Sequence, residues 1–385
     1  MKKRFAAIGA TLAVVTLVAQ PALAADPKLP DTLAWSAYDV GSGGYNQAVA
    51  IGAALKNKYG TNLRIIPGKN DVSRLLPLTT GKLDFVANGA GSYMAQEGMY
   101  EFGAKEWGPL PLRILMTNVA SHAAAMIIAA DAGIKTPADL KGKRISWVVG
   151  GPALNQNVAA VLAFAGLTWD DVQKVEFGGY AASLDAIINN QSDAAYSVSV
   201  AGKAYALEKS PRGLNYLYMP ASDTEGWKRT KAIAPFMIPM KATDGAGLSK
   251  EKPVETNSYP YPILHTLDDR NSDIVYTMMQ AMDGAFEQYR DSAPGNYGWA
   301  LDRQILDWVL PYHEGAIKYY KEKGMWTDAH QQHNDALIKR QEVLAAAWKS
   351  VVSQNLDEKA HMAAWQKARA NALRGAGLSV VLEDW

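Results

Sequence analysis

Two glycine-rich turns hold the residues of this chain best placed to do chemistry. One is Gly150-Gly151-Pro152, which follows an apolar run at 144–149 and precedes a helical run closing at Gly166. Glycines without Cβ let a ligand approach the backbone, and Pro152 is pre-set for a first helical turn, so N–H groups around 153–155 would face whatever sits there. The other is Gly41-Ser42-Gly43-Gly44-Tyr45, after an apolar run at 32–38 and before a helix with Ala48, Ile51, Leu55 and Tyr59 on one face and Gly60 at its end. Each cradle suits a small anion, and two of them imply a cleft between two lobes. The expected ligand-binding residues are Ser42, Gly43, Gly44 and Tyr45 from the first turn, and Gly151, Pro152 and Asn155 from the second. Tight turns that bind nothing would look the same. A bulky residue at Gly44 is expected to block binding and to spare the fold.

Other candidates belong to the rim on which these turns lie. Asn70, Ser73, Asn88 and Ser92 could orient a solute by neutral hydrogen bonds, or could simply cap helices and form turns. Tyr38, Tyr180 and Ser197 sit near the loops, whereas Trp35 and Trp147 read as strand core. For a carboxylate the cationic partners in reach are Lys203, Arg74 and Lys69, any of which could equally be a solvated surface charge. His330 and His333 have the spacing of a helical metal pair, but on an exposed amphipathic helix they do not amount to a metal site. Enzyme chemistry finds no foothold. There is no Gly-x-Ser-x-Gly elbow and no lysine-bearing phosphate loop, and the strand at 63–66 lacks the acidic residue that would hold a ribose. No catalytic residue, metal or cofactor is expected.

The elements that must position these groups alternate strand and helix. Strands are expected at 32–38, 63–66, 83–88, 113–117, 125–129, 144–149, 174–177, 194–198 and 214–218, with helices after the turn at 39–46, from Asn70 or Asp71, near Tyr93 and around Ala153. Such alternation gives helix-covered, largely parallel sheets that bind ligands at the carboxyl ends of their strands. The stretch 218–261, rich in Pro, Gly, Thr and Lys, reads as loop-dominated. A helix at 272–289 carries Val275, Met278, Met279, Met282 and Phe286 on a core-facing stripe, and two polar, Ala-rich amphipathic helices follow at 328–353 and 356–373. The domain reading is 1–24 signal peptide, 25–118 and 259–325 lobe 1, 119–258 lobe 2, and 326–385 a C-terminal helical extension.

The start, Lys2-Lys3-Arg4, an uncharged run at 5–18 and Ala22-Leu23-Ala24, has the layout of a secretory signal cleaved after Ala24, which places the mature protein in the periplasm. Its loss would leave 36 basic residues against 38 acidic ones, a net charge of −2 that argues against nucleic acid as a partner. No cysteine is present, which excludes disulfides, thiolate catalysis and cysteine-held zinc. With 385 residues, 48% of them hydrophobic, the chain can bury a large core in about two domains.

The ordered set Gly41-Ser-Gly-Gly-Tyr45, Thr80-Gly-Lys-Leu-Asp-Phe85, Gly133-Ile-Lys-Thr-Pro-Ala-Asp-Leu-Lys-Gly-Lys-Arg-Ile145, Gln191-Ser-Asp-Ala194 and Tyr312-His-Glu-Gly-Ala-Ile-Lys-Tyr-Tyr-Lys-Glu-Lys-Gly324 resembles the TAXI family of solute receptors that serve TRAP transporters, over about 32–325. The resemblance implies a two-lobed α/β fold of the type II periplasmic binding protein class. It implies closure on a small carboxylate-containing solute, such as an amino acid, dicarboxylate or other organic acid, and delivery to membrane-embedded TRAP permease subunits. A similar-fold receptor of an ABC transporter or sensor kinase is the alternative. The chain departs from the family at Asn70-Asp-Val-Ser73, Gly89-Ala-Gly91 and Gly151-Pro-Ala-Leu-Asn155, all cleft segments, so the family's glutamate-like ligand does not carry over.

Overall fold

Short apolar strands and capped helices alternate from the start of the computed structural model, which describes residues 27–385; the expected signal peptide at 1–24 lies outside the described residues. The series runs β1 (Thr32–Ala37), α1 (Gly43–Tyr59), β2 (Asn62–Pro67), α2 (Asp71–Thr79), β3 (Phe85–Asn88), α3 (Gly91–Glu97) and β4 (Leu112–Thr117). The helix ends follow the capping chemistry. Ser42 accepts from the Tyr45 N–H, Asn70 and Ser73 form a reciprocal capping box, and Gly60 closes α1 at φ 77°, a conformation that side chains other than glycine's rarely adopt.

The chain then crosses to β5 (Ala124–Ala129), β6 (Arg144–Val148), α4 (Pro152–Phe164), β7 (Gln173–Phe177), α5 (Tyr180–Ile188), β8 (Ala194–Val198), α6 (Gly202–Lys209) and β9 (Leu214–Tyr216). After α7 (Thr224–Ile233), β10 (Ile238–Ala242) and β11 (Val254–Ser258), it returns through β12 (Ile263–Leu267), α8 (Ser272–Tyr289) and α9 (Glu314–Glu322). The first sheet has the order β2-β1-β3-β12-β4 and the second β7-β6-β8-β5-β9. In each, three parallel strands are joined by an antiparallel one, β12 on the chain's return in the first and β5 at its entry in the second. Two such sheets with helical cover and two chain crossings make the type II periplasmic binding protein fold, with mixed sheets.

The stretch 218–261 is more regular than its composition implies. Asp223 caps α7 by accepting from the Gly226 N–H, which lets Trp227 and Thr230 bury against lobe 2. The strands β10 and β11 pair from Ile238↔Ser258 to Ala242↔Val254, and Pro239 is tolerated because β10 has a neighbour on one side only.

The C-terminal helices α10 (Asp328–Val352) and α11 (Glu358–Gly375) pack on each other through Leu344, Val351, Trp365 and Leu373 and lie against lobe 1. Their anchor is charged. The fully buried Glu97, at the end of α3, accepts from Arg340 at 2.6 and 2.7 Å and from Arg369 at 2.7 Å. Burial alone would raise the Glu97 carboxyl, but the two guanidiniums outweigh it and hold it below its ordinary value. His333 is engaged with the Trp308 carbonyl and His330 accepts from the Thr327 N–H, so both serve local structure.

Candidate functional site

Tyr38 follows β1 and Asn88 ends β3, while Val148 and Val198 end β6 and β8, so the carboxyl ends of the parallel strands of both lobes meet at one seam. Between them lies a cavity of about 40 Å³, room for roughly three water-sized spheres. Five tyrosines line it, Tyr38, Tyr180, Tyr196, Tyr259 and Tyr261, together with Arg74, Asp71, Asp39, Asn88 and Ser197. Burial pushes the phenols up, Tyr180 to about 12 and Tyr38, Tyr196 and Tyr261 well above 10, so all remain neutral hydroxyls.

Arg74 organises the lobe 1 wall. It is 5% exposed, stacks 4.5 Å from the centre of the Tyr38 ring, and donates to Asn88 Oδ1 at 2.9 Å, to the Gly68 carbonyl at 3.2 Å and to Asp71 Oδ1 at 2.5 Å. Asp71 spans the seam. Its other oxygen accepts from the Ala153 N–H at 3.1 Å, in the first turn of α4. Further bonds tie the lobes, among them Asn70 Nδ2 to the Val149 carbonyl, the Tyr180 N–H to the Lys69 carbonyl, and the Gly202 N–H to the Gly41 carbonyl.

The hydrogen-bond balance of the cavity favours donors. Tyr38 Oη has no partner, Tyr261 Oη accepts from the Gly44 N–H at 3.3 Å, and Tyr259 Oη accepts from Asn157 at 3.5 Å, so each of these three keeps its own O–H to donate. Arg74 uses three of its five N–H groups in the bonds above. Both Asp71 oxygens and the Asn88 carbonyl are already engaged.

Of the residues expected from sequence, Tyr38, Asn88, Tyr180 and Ser197 line the cavity. Others sit close by with structural duties. Ser42, Asn70 and Ser73 cap helices, Asn155 spends its amide on the Val148 backbone, and Ser92 is buried against Asn88 and His265. The first glycine cradle is filled by protein: a Cβ at Gly44 would lie 2.4 Å from the Tyr38 ring, and one at Gly43 would lie 3.0 Å from Val200. In this structure the space that Gly44 was expected to open to a ligand is taken by the tyrosine ring. The second cradle is taken as well, by Asp71. Gly151 packs on Val148, Pro152 faces an outer groove with Trp147, Trp169 and Trp385, and Tyr45 faces another groove beside Pro294. Lys203 pairs with Asp185 outside the cavity, and the cation that lines the cavity is Arg74. The sequence reading did not propose Asp39, Asp71, Tyr196, Tyr259 or Tyr261 as site residues. The tyrosines at 259 and 261 carry a signal that could have found them, an aromatic pair interleaved with proline at the return crossing.

The model of a family described as NMT1-like matches residues 40–324, stopping before α10. No curated protein matches the chain. Among solved structures, the alkanesulfonate-binding protein SsuA from Xanthomonas axonopodis pv. citri, bound to MOPS, is 16% identical, with a TM-score of 0.44, over 85% of this chain and 94% of that one. The periplasmic aliphatic sulphonate binding protein SsuA from Escherichia coli is 15% identical, with a TM-score of 0.42, over 81% and 88%. The substrate binding protein of an amino acid ABC transporter is 13% identical, with a TM-score of 0.40, over 68% and 96%.

Proposed function

The chain belongs to the NMT1-like family, and from that membership and the cavity geometry we propose that it is an exported solute-binding receptor, not an enzyme, which closes its lobes on a small oxyanion-bearing solute. The observation that carries this is the set of donors: three tyrosine hydroxyls that keep their own O–H and the Arg74 guanidinium line a space in which Asp71 and the Asn88 side-chain carbonyl are already engaged, and these donors outnumber the one further carboxylate there, Asp39. Such lining recognises an acceptor-rich head group, a carboxylate above all, and the small cavity restricts the rest of the molecule. The layout at 1–24 supports export to the periplasm. Among the described residues no helix is long and apolar enough to cross a membrane. The membrane partner in this reading is a separate transporter. The sequence resemblance supports a TRAP permease. An ABC transporter is the second reading, favoured by the amino acid ABC transporter named for one of the similar structures.

The test is a thermal-shift panel of carboxylates, amino acids and sulfonates. A solute at 100 times its dissociation constant stabilises the folded state by about 2.7 kcal/mol. A panel that leaves the melting temperature unmoved throughout would refute the oxyanion reading. Reconstitution with each transporter class encoded beside the gene separates the two partners, since only the cognate one is supplied.

A further inference from the structure

The features that would hold a solute's anion are occupied by a carboxylate of the chain itself. Asp71 is 2% exposed, accepts from Arg74 at 2.5 Å, and reaches across the seam to the Ala153 N–H at 3.1 Å. The backbone around it is shaped to admit it: a Cβ at Gly91 would lie 2.3 Å from Asp71 Oδ1. A second observation points to a ligand in the same space. Tyr38 Oη, on a side chain 9% exposed that lines the cavity and stacks on Arg74, finds no partner, and neither Tyr259 nor Tyr261 donates its O–H within the protein.

We propose that Asp71 is a resident competitor, whose carboxylate holds Arg74 and the first turn of α4 in the closed chain, and that an oxyanion solute binds by taking those two contacts from it. This rests on the oxyanion reading above. The reason for displacement is electrostatic. Beside one guanidinium, a solute carboxylate and the Asp71 carboxylate would place two negative charges in a poorly screened space, so they cannot share Arg74 without repulsion. With the lobes parted, Asp71 sits at the open edge of lobe 1 beside its helix cap Asn70, where water replaces what it gives up. Asp71 thereby sets a threshold. Only a solute that satisfies Arg74, Ala153 and the three tyrosine hydroxyls together outcompetes a carboxylate that the chain supplies at no translational cost.

Isothermal titration of the full mature chain with pyruvate, succinate, L-glutamate and methanesulfonate, on wild type, Asp71→Asn and Asp71→Ser, tests this. Freed of its competitor, the site should bind the best of these anions roughly tenfold more tightly or better in both variants, the worth of one charge-assisted hydrogen bond. A crystal structure of the wild-type complex should show Asp71 more than about 3.5 Å from the Ala153 nitrogen, beyond hydrogen-bond reach. Binding by wild type that is unchanged or weaker in both variants overturns the competitor role and leaves the oxyanion reading intact. So does a wild-type complex with the Asp71–Ala153 bond retained. Absence of binding to all three proteins, each verified as folded by its melting curve, overturns the oxyanion reading and this inference with it.

Discussion

Replacing Glu97 by glutamine removes the single negative charge between Arg340 and Arg369 while keeping the side chain's shape. Glu97 and Arg369 are fully buried and Arg340 is 8% exposed, so neither guanidinium can turn to water for compensation. Breaking a buried ion pair by removing one partner costs about 3–5 kcal/mol, and here one carboxylate serves two cations. At about 2.1 cal/mol/K of unfolding entropy per residue, a chain of this length has roughly 0.8 kcal/mol/K, so the melting temperature should fall by about 4–6 °C. Differential scanning calorimetry at pH 7 and moderate salt measures it. The charge argument also makes a prediction about rescue. Adding Arg340→Met and Arg369→Met to Glu97→Gln removes the stranded cations and should recover much of the loss, although Arg369 also bonds the Val381 and Leu382 carbonyls. A Glu97→Gln protein that melts within 1 °C of wild type would refute the reasoning, because the anchor of the C-terminal helices would then not depend on charge.

Tyr38→Phe should leave the melting temperature nearly unchanged, since its hydroxyl has no protein partner, yet weaken solute binding about tenfold; equal affinity by calorimetric titration would remove that hydroxyl from the site. Gly44→Val should cost about 1–3 kcal/mol of stability, because the new side chain meets the Tyr38 ring at 2.4 Å and Pro262 at 3.1 Å; an unshifted urea midpoint would contradict this. His122 and His265 are fully buried, and burial holds both imidazoles at about 4, below the usual 6.5. The unfolded chain therefore takes up protons near pH 6.5 that the folded chain refuses until about pH 4. This stability is fully present above pH 6.5 and is lost as the pH falls through 4, on the order of 3 kcal/mol for each histidine. Equal urea midpoints at pH 7 and pH 4.5 would rule it out, and His265→Gln should flatten the slope.

The order of elements was legible from local signals alone. Apolar runs of strand length, the caps at Ser42 and Asn70, and the stops at Gly60, Gly98 and Gly166 each act within a few residues, and that is the range over which a linear reading works. The two C-terminal helices could be read in the same way. The sequence failed at 218–261, where pairing between β10 and β11 overrides proline and glycine content, because a strand's partner supplies what its composition does not. Most of the site was beyond its reach for a related reason. That Asp71 meets the backbone of Ala153, 82 residues away, is an outcome of how two lobes close, and that Tyr259 and Tyr261 face Tyr38 and Arg74, and that Lys203 turns to Asp185 instead, are outcomes of packing within each lobe. Residue type and local spacing pointed to two glycine cradles for negative charge; only tertiary packing decided that the Tyr38 ring fills the first and Asp71 the second, and that the tyrosines and Arg74 line the cavity between the lobes, because these contacts join residues that no local pattern relates.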